Sequence, residues 1–128
     1  MVRVLIIDDD ELVRVSIRKL LEIKGFEVLV ATSGNRGLDV LRGEAESIDL
    51  LITDIFMTDI DGFEVIQDVR RDYPDIKIIA LSGGGLVDKD SVLQSAKGLG
   101  AHQCLTKPLS SKELFRIVME LTEGLREE

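Results

Sequence analysis

The 128-residue chain has no tryptophan, one tyrosine, one histidine, one cysteine and two prolines. A single thiol, Cys104, cannot close an internal disulfide, which suits a reducing compartment. It lies in an apolar stretch and is expected as a buried, inert thiol. His102 has no second histidine, cysteine or acid at ligand spacing, so an exposed or edge position is expected of it. No apolar run approaches the ~18 residues of a membrane span. The N-terminus enters an apolar stretch directly, so no signal peptide is expected. Positive charge is also short: 16 Lys and Arg face 24 Asp and Glu, giving a net charge of −8. Phosphate backbones repel such a surface, and no basic stripe is interleaved with aromatics. Direct nucleic-acid binding and a membrane role are therefore not expected.

What is present is an apolar content of 45%, mostly Val, Ile and Leu, in a length that suits one domain over residues 1–128. Short apolar runs cover Val2 to Ile7, Glu27 to Ala31, Asp49 to Thr53, Ile76 to Ser82 and His102 to Thr106. Five amphipathic segments alternate with them. The first places Val13, Ile17, Leu20 and Leu21 on one face, and the last does the same with Leu114, Ile117, Val118 and Leu121. Strands that are apolar almost throughout are covered on both sides, which means a parallel sheet. The pattern predicts an α/β fold, a doubly wound five-stranded parallel sheet with helices on both faces. Gly25 after the first helix, Ser33 before the second, Pro74 after the third and Ser110 with Glu113 at the last all punctuate this map.

The stretch from Val4 to Glu11, VLIIDDDE, ends an apolar strand in four acids. Adjacent like charges repel unless a positive group sits among them. In open parallel sheets, ligands bind beyond the carboxyl ends of the strands, where strand order reverses. The residues at those ends are Asp8 and Asp9 after the first strand, Asp54 after the third, Ser82 at the end of the fourth, and Lys107 with Pro108 after the fifth. If the central strands are neighbours, Asp8, Asp9 and Asp54 converge, and clustered carboxylates favour a hard divalent cation such as Mg2+. A hydroxyl, an ammonium and a metal around a carboxylate are parts that hold a phosphoryl group, and a carboxylate can itself become an aspartyl phosphate. Taken singly, the acids also suit a solvated helix start, which Asp10 and Glu11 need not exceed.

Over essentially its whole length the sequence resembles the receiver domain of two-component response regulators, a CheY-like family with the flavodoxin-like (βα)5 fold. The resemblance rests on Asp8-Asp9, on Asp54 within LLITDIFMTDIDG, on Asp61-Gly62, on Ser82 after IIAL, and on Lys107-Pro108 after CLT. It implies that Asp54 accepts a phosphoryl group from a phosphohistidine on a sensor histidine kinase or phosphotransfer protein. It implies Mg2+ on Asp9, Asp54 and the backbone carbonyl of Phe56, with Asp8 often acting through water. Lys107 would contact the phosphate and Ser82 would swing toward it as the switch hydroxyl. The receiver would catalyse its own phosphorylation and dephosphorylation, in the cytoplasm. The face from the fourth helix to the fifth would meet a downstream output domain or protein target, or form a homodimer.

Departures from the family pattern carry expectations of their own. Cys104 stands where the family usually has a Tyr or Phe that rotates inward, so an aromatic switch cannot operate there, and loop and helix rearrangement is expected instead. Thr58 replaces a common proline, which should leave its loop freer. Phe56 is bulky and Gly84 has no side chain to orient water, so a long-lived phosphoryl state is expected. Gly83 to Gly85 is a candidate mobile loop. Two other classes compete: a receiver-shaped binding module that is never phosphorylated, and a phosphatase of the haloacid dehalogenase type built on Asp8 and Asp10. The first would be marked by a missing acid or lysine, and none is missing. The second leaves Asp54 unexplained.

Overall fold

The structure, a computed structural model, describes residues 1–57, 59–83 and 89–125, without the side chains at 89, 90 and 93. Thr58, Gly84 and Gly85 lie outside the described residues. Strands β1 (Arg3–Ile7), β2 (Glu27–Ala31), β3 (Leu50–Asp54), β4 (Lys77–Ser82) and β5 (Gln103–Thr106) alternate with helices α1 (Glu11–Ile23), α2 (Gly34–Glu44), α3 (Gly62–Asp72), α4 (Lys89–Leu99) and α5 (Ser111–Leu121). A 3-10 turn at Ala45–Ser47, which no periodicity announced, follows α2.

All strand pairs are parallel, and the sheet order is β2-β1-β3-β4-β5. The doubly wound parallel sheet expected from the apolar runs is the fold observed. Alternation along the strands divides the core in two. Leu5, Ile7, Leu51, Ile78 and Ala80 pack under α2, α3 and α4 with Leu41, Val65, Ile66, Val69, Val92 and Ala96. Val4, Ile6, Leu50, Ile52, Ile79 and Leu81 pack under α1 and α5 with Ile17, Leu21, Leu114, Ile117 and Val118. Because both faces are covered, the central strands are apolar over residues 4–7, 50–52 and 78–81.

Among the described residues, four helix starts are fixed by side-chain caps, each worth about 1 kcal/mol. Asp10 Oδ1 accepts from Leu12 N at 2.9 Å, Ser33 Oγ from Arg36 N at 3.2 Å, Asp61 Oδ1 from Glu64 N at 2.9 Å, and Ser110 Oγ from Glu113 N at 3.2 Å. Asp10 is thus spent on α1, which separates it from the two acids before it. Gly25, at φ +93, turns the chain out of α1 in the left-handed region that favours glycine.

The amino ends of the strands are tied by Arg3. Its backbone N donates to Asp49 Oδ2 at 3.0 Å, and Asp49 N donates to Arg3 O at 2.9 Å. Its guanidinium faces Glu27 at 2.5 Å and Glu44 at 3.5 Å, and bonds Ser47 Oγ. The opposite, carboxyl edge carries the acids.

Candidate functional site

The order of the sheet reverses between β1 and β3, which places a crevice at their carboxyl ends. Ile7 lies opposite Thr53, and Asp54 lies opposite Leu81. The residues just beyond β1 therefore stand beside the last residue of β3. Asp8, Asp9 and Asp54 each offer a carboxylate oxygen there, all within 4.8 Å of one another. Asp8 and Asp54 are buried and Asp9 is exposed, so the cluster has a buried floor and a solvent-facing lip. The backbone around Asp8 is held on three sides: its N donates to Ala31 O at 3.3 Å, its Oδ1 accepts from Asp10 N at 2.9 Å, and its O accepts from Arg14 Nη1 at 2.8 Å.

Lys107 supplies the positive charge. Its backbone N donates to Ser82 O at 2.8 Å, which carries the ladder between β4 and β5 one residue past β5 and aims the side chain along the carboxyl edge. The peptide bond to Pro108 is cis. Lys107 Nζ lies 2.9 Å from Asp8 Oδ2 and 3.4 Å from Asp54 Oδ2. Burial pushes the Asp54 carboxyl above its ordinary range and the Asp8 charge adds to this; Lys107 and the Phe56 amide pull back without reversing it. Burial works against the Lys107 ammonium, but its close pairing with Asp8 and the charge of Asp54 outweigh burial and hold it above its usual value.

One ammonium does not balance three carboxylates. Asp8 Oδ2, although close to Lys107, accepts no well-aligned hydrogen bond, so a buried anionic oxygen keeps coordinating capacity. An all-oxygen donor set with an orphaned buried atom fits a hard divalent cation. Lys107 thus meets part of the negative charge that closes the VLIIDDDE stretch, and the three acids could hold a cation besides.

The other expected residues surround this cluster. Phe56 N donates to Asp54 Oδ1 at 3.4 Å, and Phe56 is 44% exposed. Ser82 is buried opposite Thr106, and its hydroxyl donates to Gly83 O at 3.3 Å. Gly62 opens α3 against the end of β3: its N donates to Ile55 O at 2.6 Å, and a Cβ there would collide with Asp54 O and Ile55 Cα. Only glycine fits that approach.

Two residues near the site carried no sequence signal. Arg14 holds the Asp8 carbonyl across a turn of α1, and Asp59 accepts from Gly34 N and Asn35 N at the start of α2. Away from the site, His102 stands at the sheet edge as expected but is only partly exposed. Its Nδ1 accepts from Ile78 N at 3.0 Å, and Arg70 Nη2 lies 3.1 Å from Nε2. Cys104 is half-buried rather than buried, because β5 is an edge strand; burial still pushes its thiol up, against the pull of Lys97. Among the described residues, no helix is long and apolar enough to cross a membrane.

Comparison with known proteins agrees with this arrangement. The response regulator receiver domain model matches residues 4–119. Response regulator MprA of Mycolicibacterium vanbaalenii is 35% identical over 116 residues, covering 89% of this chain and 47% of that protein. MprA of Mycobacterium tuberculosis matches to the same extent. Among solved structures, a response regulator receiver domain protein from Clostridium thermocellum superposes with TM-score 0.88 at 30% identity, over 97% of this chain and 96% of that one. A CheY-like receiver domain protein from Methanospirillum hungatei gives 0.83 at 30% identity, over 96% and 95%. The chain belongs to the receiver domain family of two-component response regulators. It spans about half the length of the curated relatives it matches.

Proposed function

We propose that this chain is a phosphorylation-switched signalling receiver in which Asp54 is the phosphoacceptor. The observation that carries the reading is the meeting of Asp8, Asp9, Asp54 and Lys107 at one crevice, contributed by the ends of β1, β3 and β5. The carboxylate of Asp54 attacks the phosphorus of a phosphohistidine; the P–N bond breaks, an acyl phosphate P–O bond forms, and the imidazole leaves with its electron pair. Hydrolysis by water returns the carboxylate and inorganic phosphate. On this reading the domain catalyses its own transfer and its own dephosphorylation.

Asp8, Asp9, Asp54 and the Phe56 carbonyl would hold Mg2+, which supplies charge neutralisation for the transferring phosphoryl oxygens. Lys107 pairs with a phosphate oxygen once the acceptor's charge is masked. Ser82 leaves Gly83 O and turns toward the phosphoryl group, and this exchange is the switch. Cys104 offers no ring to follow it, so the signal passes by rearrangement of the loops and of α4. Phe56, two residues after Asp54, is bulky and apolar and would hinder attacking water, which favours a long-lived state.

Residues 1–128 act as one cytoplasmic receiver domain. Its donor is a sensor histidine kinase or phosphotransfer protein. The face from α4 through β5 to α5 meets an output domain, a protein target or a second copy. The chain's net charge of −8 supports no direct role for nucleic acid or membrane.

The test is to incubate the protein with magnesium and a small phosphodonor and weigh it intact, with Asp54→Asn as control. One added phosphoryl group on the native chain alone supports the reading. No addition from any donor favours a binding module, and turnover of donor without a covalent adduct at Asp54 favours a phosphatase.

A further inference from the structure

The segment between β3 and α3 begins one residue after Asp54 and includes Phe56. Its near end is fixed: Ile55 is buried, its N donates to Leu81 O at 3.0 Å, and its O accepts from Gly62 N. Farther along, Asp59 reaches to another element. Its Oδ1 accepts from Gly34 N at 3.2 Å and its Oδ2 from Asn35 N at 2.8 Å, both in the first turn of α2. Beside it Ile60 lies so close to Gly34 that a Cβ there would stand 2.5 Å from Ile60 Cγ1.

Helix α2 already has a cap of its own in Ser33, which meets Arg36 N. Asp59 meets the two preceding donors from a different loop, so the first turn of α2 and the segment after Asp54 share their polar groups. What little burial Asp59 has works to raise its carboxyl, yet the amides of Asn35, Ile60 and Gly34 and the Ser33 hydroxyl hold it below the ordinary range. At its other side α2 rests on the sheet through Gly37, which sits directly on the side chain of Ile7, the residue before Asp8. A closed circuit results: Asp54, the loop, Asp59, α2, Ile7, Asp8.

We propose that Asp59 is a positioning residue of the acidic pocket: by clamping the loop after Asp54 to the first turn of α2, it holds the Phe56 backbone in place for the cation. This rests on the reading of the pocket given above. Asp59 does not touch the ion. It acts through the loop, which without the clamp must be ordered at the moment of binding, at the expense of affinity.

Asp59→Ala and Asp59→Asn test this by magnesium titration of the intact chain, with melting of the magnesium-free proteins alongside. The alanine variant should bind magnesium about tenfold more weakly. The asparagine variant, which keeps one acceptor oxygen, should recover part of the loss. In the native chain the amide resonances of Gly34 and Asn35 should shift as magnesium binds. In the alanine variant they should stay still while that of Lys107 moves. Native affinity in the alanine variant, with only a lower Tm, makes the clamp structural and overturns the assignment. If alanine does not fold, the asparagine variant decides: native affinity together with silent Gly34 and Asn35 amides overturns it. A native chain that neither binds magnesium nor takes phosphate overturns the reading of the pocket and this assignment together.

Discussion

The ammonium of Lys107 stands closer to Asp8, at 2.9 Å, than to Asp54, at 3.4 Å. The cation of the crevice is therefore committed first to the fully buried acid, and only second to the proposed acceptor. Lys107 serves as a resident counter-ion to both acids.

Replacing Lys107 with Met keeps the stem and removes the charge. Urea unfolding in magnesium-free buffer should then show a loss of about 1–3 kcal/mol, less than the ~3–5 kcal/mol of a fully buried pair, because the lysine head is partly solvated. Added magnesium should restore much of it. Unchanged unfolding midpoints would show that the two acids do not depend on Lys107.

Asp54→Asn has the opposite sign. It removes one of two buried like charges, so the magnesium-free protein at pH 7 should gain stability, on the order of 1 kcal/mol. Magnesium at a hundred times its Kd should stabilise the native chain by about 2.7 kcal/mol, and the variant by clearly less. Calorimetry with and without magnesium reads both effects, and equal magnesium responses in the two proteins would count against Asp54 as a ligand.

His102 sets a pH dependence. Burial, with the charges of Arg70 and Lys77, lowers its pKa below the ordinary value. The neutral ring also accepts from Ile78 N, a bond that the protonated ring cannot accept. With the folded pKa depressed, this contribution is fully present above the unfolded value of about 6.5 and is lost as pH falls through the folded pKa. His102→Gln keeps an acceptor and does not titrate. Its stability should fall less than that of the native chain between pH 7 and pH 5, and parallel curves would remove His102 from the account.

Two glycines separate close approach from mere tolerance. Gly62→Ala should cost about 2–3 kcal/mol, because the new methyl meets backbone atoms of Asp54 and Ile55 that cannot step aside. Gly43 lies in α2 with open space around it, and Gly43→Ala should gain about 0.5 kcal/mol from helix propensity. Thermal melts of the two variants should move in opposite directions.

The strands were legible because burial on both faces leaves Val, Ile and Leu at almost every position. The third was expected at Asp49 to Thr53 and runs Leu50–Asp54, since a buried acid breaks the apolar pattern without breaking the ladder. Asp8, Asp9, Asp54, Ser82 and Lys107 could be picked out because together they close four different apolar runs, and the structure brings the three acids and the lysine together. Cys104 was expected too deep, because an edge strand reads like a central one until its neighbours are known. The nearer distance of Lys107 to Asp8 depends on three dimensions and has no trace in spacing. Nor does Asp59: it is one of two acids in TDIDG, and its partners stand 24 and 25 residues earlier.

The Arg3 staple lies at the far rim of the sheet from the acids, binding Asp49, Glu27, Glu44 and Ser47. The Arg3 network and the acidic cluster thus stand at opposite ends of the strands. A protein engineer could reinforce the foundation, through Arg3 and its companions, and leave the acid-bearing edge untouched.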